Sequence, residues 1–183
     1  LHPLGDLAPG RHQLTMRIDN RPIHPLGIIG HAYTEQTQTI WNGAVGRLEL
    51  RAHPPLRVGL VRAFPRDESE GVEVEVELQC SGERTLEGKV EFDLWDPDRG
   101  DRVSLGSVPF QLTGTRTLLR PTLALPPTVR HWSEFDPNWY RLRVRAIAAA
   151  FEDEREVTVG FRQVSRAGQH LAVDGNPLFL RGN

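Results

Sequence analysis

Residues 72–80 alternate strictly between apolar and polar side chains, and this pattern constrains the fold more than any other part of the sequence. Successive side chains of a β-strand point to opposite faces, so the alternation predicts a strand with one face on a hydrophobic core. The apolar face would carry Val72, Val74, Val76, Leu78 and Cys80, and the polar face Glu73, Glu75, Glu77 and Gln79. Because Cys80 is the only cysteine, no disulfide can form within the chain, and we interpret it as a core residue.

Six further segments have the composition of strands and are separated by turn signals rich in Pro and Asp. They are Leu56–Phe64, Leu86–Trp95, Arg102–Val108, Thr115–Leu125, Trp139–Ala148 and Arg155–Val164. Strands at this spacing, without amphipathic helices between them, predict an all-β protein with an immunoglobulin-like β-sandwich. Because Pro54 and Pro55 cannot donate ladder hydrogen bonds, we place a domain boundary there and the sandwich at residues 54–164.

The segment before the predicted sandwich has a different organisation. Alternation predicts strands at His12–Ile18 and Val45–Ala52, joined by a long connection at residues 19–43. Loops of this length are commonly functional or disordered, so the connection is a candidate site. Its polar and aromatic groups suit carbohydrate, which makes Glu35, Gln38, Trp41 and Asn42 candidate substrate contacts; the alternative is a polar surface excursion ordered by Trp41.

The segment after the predicted sandwich changes pattern again. The dipeptide Asp174-Gly175 predicts a β-hairpin. The apolar run Leu178–Leu180 that follows is typical of a strand buried on both faces, as in a parallel barrel. Its partner strands would lie downstream of this chain.

The charge balance excludes two classes of partner. With 22 basic and 24 acidic residues interspersed, the chain has no basic stripe that would neutralise phosphates, so we predict no nucleic-acid partner. No run of about 18 apolar residues occurs, so we predict a soluble protein without a membrane span. The seven histidines are dispersed without ligand spacing, and we predict neither a metal ion nor a cofactor.

The acidic residues do not form an active site by their spacing. A glycosidase needs two carboxylates about 5 to 9 Å apart, on either side of a sugar bond. Glu73, Glu75 and Glu77 follow each other at every second position, which predicts one solvent-facing row on a strand. The aromatic group Trp132, Trp139 and Tyr140 has two interpretations, a sugar-stacking platform or a cover for one end of the sandwich core.

Three segments, in this order, resemble glycoside hydrolase family 2, which comprises β-galactosidases, β-glucuronidases and β-mannosidases. Ile40–Leu48 is similar to the end of the family's jelly-roll sugar-binding domain, and Trp132–Leu142 to its Trp-Ser-x-x-x-Pro-Asn-Leu-Tyr signature. Val159–Arg162, followed by Val173–Asn183, resembles the stretch that leads into the catalytic barrel. The chain departs from these motifs at Trp139, Asp174 and Asn176, where the family usually has Leu, Asn and Lys.

The resemblance implies a division of the chain and a role for it. Residues 1–53 would be the C-terminal part of the jelly roll, and residues 165–183 a hairpin leading into a (β/α)8 barrel that lies beyond this chain. In the family, a Glu of an Asn-Glu dipeptide and a second Glu in the barrel hydrolyse the glycosidic bond with retention. No Asn-Glu dipeptide occurs here, so we predict no catalytic residue in this chain.

The expected partners are therefore the parent enzyme's own catalytic barrel and, through that enzyme, a carbohydrate substrate. Asn183 would lie near the active site, at the end of the first barrel strand. The rival hypothesis is an independent carbohydrate-binding or adhesion module, for which a β-sandwich suffices. The compartment is left open by the sequence, with a periplasmic or secreted parent protein as options.

Overall fold

The computed structural model describes residues 4–19, 43–44, 46, 48–66, 71–149 and 151–179. Within these ranges every regular element is a β-strand, which confirms the all-β class. The chain divides into two compact units, Leu1–Arg51 and Ala52–Asn183. In the described part of the chain, no helix is long and apolar enough to span a bilayer.

The described residues of the first unit form no strand. Leu14, Met16 and Ile18 alternate as a strand would, yet they are 62%, 49% and 51% exposed. The strand predictions for His12–Ile18 and for the described part of Val45–Ala52 are therefore wrong. Alternation makes a strand only where a second strand accepts its ladder hydrogen bonds, and no described residue does so here. The jelly-roll assignment of residues 1–53 stays a prediction.

The second unit contains nine strands among its described residues. They are β1 (Leu56–Pro65), β2 (Gly71–Trp95), β3 (Arg102–Leu119), β4 (Thr122–Ala124), β5 (Tyr140–Ala148), β6 (Phe151–Val159), β7 (Val164–Ala167), β8 (His170–Val173) and β9 (Asn176–Pro177). The first six pair antiparallel in the order β1-β2-β5-β6, with β3 and β4 also on β2. The last three form a separate small sheet in the order β7-β8-β9.

The two layers of the sandwich arise because β2 bends. Its first half pairs with β1, and its second half pairs with β5. The β2–β3 register slips between Gln79 and Arg84, where Gly82 has a φ of +77°. This left-handed conformation costs glycine less than any other residue, so Gly82 suits the bend. The predicted strands Val72–Cys80 and Leu86–Trp95 are thus two halves of one strand.

The core lies between the two layers and is formed by the inward positions of each strand. The predicted apolar face of residues 72–80 is buried, with Val72, Val74, Val76 and Leu78 at 0% exposure. The opposite layer contributes alternate residues of β2 and β5 to the same cluster. These are Val90, Phe92, Leu94, Tyr140, Leu142, Val144, Ala146 and Ala148. The immunoglobulin-like β-sandwich predicted from the alternation is confirmed.

Side chains of β6 hold the edge strand β1 at a bulge. The β1–β2 register shifts between Val58 and Leu60, so Gly59 is the extra residue. The Val58 N–H donates to Asp153 Oδ2 at 2.7 Å, and the guanidinium of Arg155 donates to the Gly59 carbonyl. At the bulge, the Val58 N–H and the Gly59 carbonyl therefore form hydrogen bonds with charged side chains of β6.

Beyond the sandwich, the predicted hairpin is present as β8–β9. Asp174 and Gly175 both have positive φ, at +48° and +77°, as the two central residues of a type I′ turn require. Its second strand comprises Asn176–Pro177, earlier than the predicted Leu178–Leu180. Phe179 is 79% exposed in this chain, so burial of that run stays a prediction.

Candidate functional site

The candidate sugar contacts named from the sequence cannot be placed in the fold. Glu35, Gln38, Trp41, Asn42 and Asn183 lie outside the described residues. Their role in substrate binding stays a prediction. The described chemistry is concentrated instead at one end of the sandwich, which we call the exit end: the loop 129–138, the segment 160–163 and the hairpin turn at Asp174.

The turn from Trp132 to Asn138 is fixed by hydrogen bonds of its own residues. The Ser133 N–H donates to the Asp136 carbonyl at 3.0 Å, and the Asp136 N–H donates to Ser133 Oγ at 2.9 Å. The Trp132 N–H donates to the Phe161 carbonyl at 2.8 Å, which ties the turn to the segment after β6. Ser and Asp form such local bonds readily, so the Ser-Glu-Phe-Asp sequence favours this turn.

Asn138 is the buried clamp of this turn. It is 4% exposed, and its side-chain amide donates to the His131 carbonyl at 2.9 Å and to Asp136 Oδ2 at 2.8 Å. Its backbone N–H also donates to the Asp136 carbonyl at 2.8 Å. A buried amide satisfied in this way holds one loop geometry. Asn138 lies within the Trp132–Leu142 motif, but the sequence does not reveal its role, because its partners depend on how the turn closes.

Tyr140 closes the end of the core. It is 3% exposed, and its hydroxyl accepts a hydrogen bond from the Arg130 N–H at 2.8 Å. Its ring packs against Phe161, with centroids 5.5 Å apart. A tyrosine at the start of a strand that bonds back to an upstream loop is the tyrosine corner of immunoglobulin-like domains. Of the two interpretations, Tyr140 therefore covers the core.

Trp132 packs against the segment that leaves the sandwich. The Arg162 guanidinium carbon lies 4.3 Å from the Trp132 ring centroid, a cation–π contact. A Cβ on Gly160 would lie 3.4 Å from Trp132 Cβ, so the chain passes close to the indole. The ring is thus occupied by protein groups, and this geometry favours an anchoring role over a sugar platform.

Asp174 ties the hairpin back to the sandwich. Its N–H donates to the Gln163 carbonyl at 2.9 Å, and its Oδ1 accepts from the Gln163 N–H at 2.8 Å. Its Oδ2 lies 3.4 Å from His131 Nδ1, an ion pair when the imidazole is protonated. One side chain therefore joins the hairpin turn, the outgoing segment and the loop that Asn138 clamps.

The predicted solvent-facing row of glutamates is wrong for its central member. Glu75 is only 8% exposed, because Arg62 of β1 and Arg120, which follows β3, lie over it. Its carboxylate oxygens are 3.4 Å from Arg62 Nη1 and 2.9 Å from Arg120 Nη2. Glu73 pairs with Arg66, and Glu77 pairs with Arg116 at 3.6 Å. Each of these three carboxylates is paired with arginine, which indicates a structural role.

The outer face of the other layer carries a second ladder of ion pairs. Arg143 Nη2 lies 2.6 Å from Asp93 Oδ2, and this hydrogen bond raises the pKa of Arg143. Arg145 Nε lies 2.7 Å from Glu152 Oε1, and their hydrogen bond raises the pKa of Arg145 and lowers that of Glu152. Charges of opposite sign on neighbouring strands stabilise their register.

Two concavities lie in the described part of the second unit. A groove of about 390 Å³ lies between β1 and β6, lined by Val61–Pro65 and Val157–Phe161, with Arg62 its one ionisable residue. A cavity of about 30 Å³ beside Asp96 and Tyr140 has room for about one water molecule. Within the described ranges, no three His, Cys, Asp or Glu side chains converge as metal ligands.

Two antiparallel layers around one core, closed by a tyrosine corner, define an immunoglobulin-like domain. The model of the glycosyl hydrolases family 2 matches residues 63–162, which is more than half of the chain. The chain therefore belongs to glycosyl hydrolase family 2, as its three motifs predicted. The match covers most of the sandwich and the Trp132–Asn138 turn.

Several solved structures share the fold. A β-galacturonidase from Eisenbergiella tayi bound to glycerol is 20% identical, with a TM-score of 0.58 over 69% of this chain and 22% of that one. The β-glucuronidase 2 of Bacteroides uniformis, covalently bound to cyclophellitol-6-carboxylate aziridine, is 16% identical, with a TM-score of 0.59 over 71% of this chain and 17% of that one. A family 2 member from Bacteroides cellulosilyticus DSM 14838 is 18% identical, with a TM-score of 0.58 over 71% of this chain and 19% of that one. This chain thus spans only about a fifth of the length of the structures it matches.

Proposed function

We propose that this chain is the non-catalytic part of a retaining glycoside hydrolase that acts on β-glycosidic bonds. The observation that carries the proposal is the family match over residues 63–162. The described carboxylates are consistent with a supporting role, since Glu75 and Glu152 are each bound to arginine. The hydrolytic carboxylates would belong to a barrel domain of the parent enzyme.

The role we assign to the sandwich is to hold its neighbouring domains in a fixed relation. In this proposal, residues 1–53 complete a jelly-roll sugar-binding domain, and residues 165–183 lead into the barrel. The hydrogen bonding of the exit end supports this role, because Asn138, Tyr140 and Asp174 each bond to a connecting segment. A supporting domain acts on catalysis by keeping the substrate-binding groups in position.

Retention would proceed through a covalent glycosyl-enzyme. One carboxylate of the barrel attacks the anomeric carbon, and the other protonates the leaving oxygen and then activates water. The covalent aziridine adduct of the similar Bacteroides uniformis β-glucuronidase 2 supports this mechanism by analogy. Glu35, Gln38, Trp41, Asn42 and Asn183 remain our proposed substrate contacts. We place the parent enzyme in the periplasm or outside the cell as a further part of the proposal.

Hydrolysis by the full-length protein and by the 183-residue chain tests the proposal. Aryl β-galactosides, β-glucuronides, β-galacturonides and β-mannosides should include one substrate that the full-length protein cleaves with retained anomeric configuration, seen by NMR of the first product. The chain alone should cleave none of them. Inverted product, or no turnover of any β-glycoside, would sink the proposal. Saturable sugar binding by the chain alone, without hydrolysis by the full-length protein, would instead favour an independent carbohydrate-binding module.

A further inference from the structure

The turn at the exit end exposes a large apolar side chain. Phe135 is 91% exposed, more than any other large hydrophobic residue described. Its neighbours in the turn are held by hydrogen bonds, since Ser133 and Asp136 bond each other and the buried amide of Asn138 donates to Asp136. These hydrogen bonds therefore hold the turn in a conformation that exposes the Phe135 side chain. Aromatic anchors held in advance in their bound conformation are the typical energetic centres of protein interfaces.

The charges beside Phe135 limit the kind of surface that would receive it. Glu134 and Asp136 flank it directly, and both residues are exposed. Among the described residues, the Asp136 carboxylate accepts its side-chain hydrogen bond from the neutral amide of Asn138 and forms no ion pair. A complementary surface would offer an apolar pocket for the ring and cationic side chains around that pocket.

The chain's path favours a partner in the same polypeptide. Asp174 pairs with His131, which lies four residues before Phe135, so the hairpin is tethered beside the turn. A domain that follows the hairpin is thereby kept at high effective concentration next to Phe135. The similar solved structures are several times longer than the matched part, which is 22% of the Eisenbergiella tayi chain.

We propose that Phe135 is the anchor by which the sandwich docks onto the catalytic barrel of the parent enzyme, in an apolar pocket with a basic rim. This inference rests on the proposed function, which supplies the barrel. The exit end then has two parts: the tether at Asp174 brings the barrel close, and Phe135 fixes how it sits. Exposure of Phe135 in this chain is the free state of that contact.

Hydrogen exchange of the full-length enzyme tests the anchor. Phe135→Ala should accelerate exchange of amides in a barrel segment by about tenfold or more, the change that loss of one good anchor produces. Leu118→Ala is the matched control, because Leu118 is also an exposed apolar residue, at 47%, but lies on β3 away from the exit end. It should leave barrel exchange unchanged. Glu134→Lys should accelerate the same segment if the rim is basic.

Each result separates the possibilities. Unchanged barrel exchange in Phe135→Ala overturns the anchor, and unchanged exchange in Glu134→Lys alone overturns the basic rim. A concentration-dependent dimer that Phe135→Ala dissociates would assign the residue to a second copy of the chain and overturn barrel docking. Loss of sugar affinity in Phe135→Ala, with unaltered barrel exchange, would assign it to carbohydrate instead. If the wild-type enzyme hydrolyses β-glycosides but Phe135→Ala leaves barrel exchange unchanged, only the anchor is wrong. If the wild-type enzyme hydrolyses no β-glycoside but Phe135→Ala accelerates barrel exchange, only the proposed function is wrong.

Discussion

The hydroxyl of Tyr140 accepts a hydrogen bond from the Arg130 N–H, 2.8 Å away across the end of the sandwich core. Tyr140 is 3% exposed and Arg130 is half-buried, so the hydroxyl has little access to water. The contact joins the start of β5 to the loop that precedes the Trp132–Asn138 turn. The position of that turn, and of Phe135 on it, therefore depends on a residue of the core.

Tyr140→Phe removes this hydrogen bond and keeps the ring packing against Phe161. The half-buried Arg130 N–H then loses its partner, which costs about 1 kcal/mol of the free energy of unfolding. Urea unfolding followed by tryptophan fluorescence measures the change. Phe161→Leu is the complementary variant, because it weakens the 5.5 Å ring contact and leaves the hydrogen bond. A Tyr140→Phe variant as stable as wild type would show that the corner contributes packing alone.

Gly88→Ala tests the close approach of β2 and β5. A Cβ at Gly88 would overlap the carbonyl oxygen of Ile147, a backbone atom that cannot move without disturbing the strand pairing. We expect a loss of about 1–3 kcal/mol in the free energy of unfolding, typical of overpacking. Gly59→Ala is the matched control: its Cβ would meet the end of the flexible Gln79 side chain, so its cost should be smaller. Equal costs in thermal or urea unfolding would contradict the backbone clash.

The fold was predictable where one face of a strand is buried. Alternation placed Val72, Val74 and Val76 correctly in the core, because side-chain period decides which residues of a strand share a face. The Asp174-Gly175 hairpin followed from backbone sterics, since both residues tolerate positive φ. Strand alternation and turn conformation depend on residues close together in the chain, so both can be predicted from the sequence.

What could not be predicted depends on residues distant in the chain. Glu75 is buried because Arg62 and Arg120, which lie 13 and 45 positions away, fold over it. The clamp at Asn138 requires the turn to close before its amide reaches the His131 carbonyl. The segment around Leu14 alternates like a strand, yet it forms no strand among the described residues, so alternation alone is not sufficient. An alternating pattern shows which side chains of a strand share a face, but the residues that pack against that face depend on the fold topology.

Acidification should weaken the ion pair between Arg145 and Glu152. The hydrogen bond from Arg145 holds the pKa of Glu152 below its usual value of 4.5, so the unfolded chain binds a proton there more readily than the folded one. The pair's contribution is complete above about pH 4.5 and is lost as the pH falls through the lower, folded value. The stability difference between wild type and Glu152→Gln should therefore shrink below pH 4.5.

Chemical unfolding of both proteins between pH 7 and pH 3 measures this difference, which should be small because the pair is exposed. The matched control is Glu83→Gln, since Glu83 has no ion pair among the residues that the structure describes. Its effect should not change with pH in the way that Glu152→Gln does. A constant difference between wild type and Glu152→Gln across the range would contradict the pairing with Arg145.

The attachment of the hairpin should depend more on the acceptor oxygen of the Asp174 side chain than on its negative charge. Asp174→Asn retains an acceptor for the Gln163 N–H, and asparagine tolerates the φ of +48°. Asp174→Ala loses the acceptor and strains the backbone, at a cost of about 1–3 kcal/mol for opening the hairpin. Limited proteolysis within residues 164–179 should therefore be much faster in Asp174→Ala and only slightly faster in Asp174→Asn. Equal acceleration in both variants would place the tether in the ion pair with His131, and no acceleration in either would show that Asp174 does not hold the hairpin.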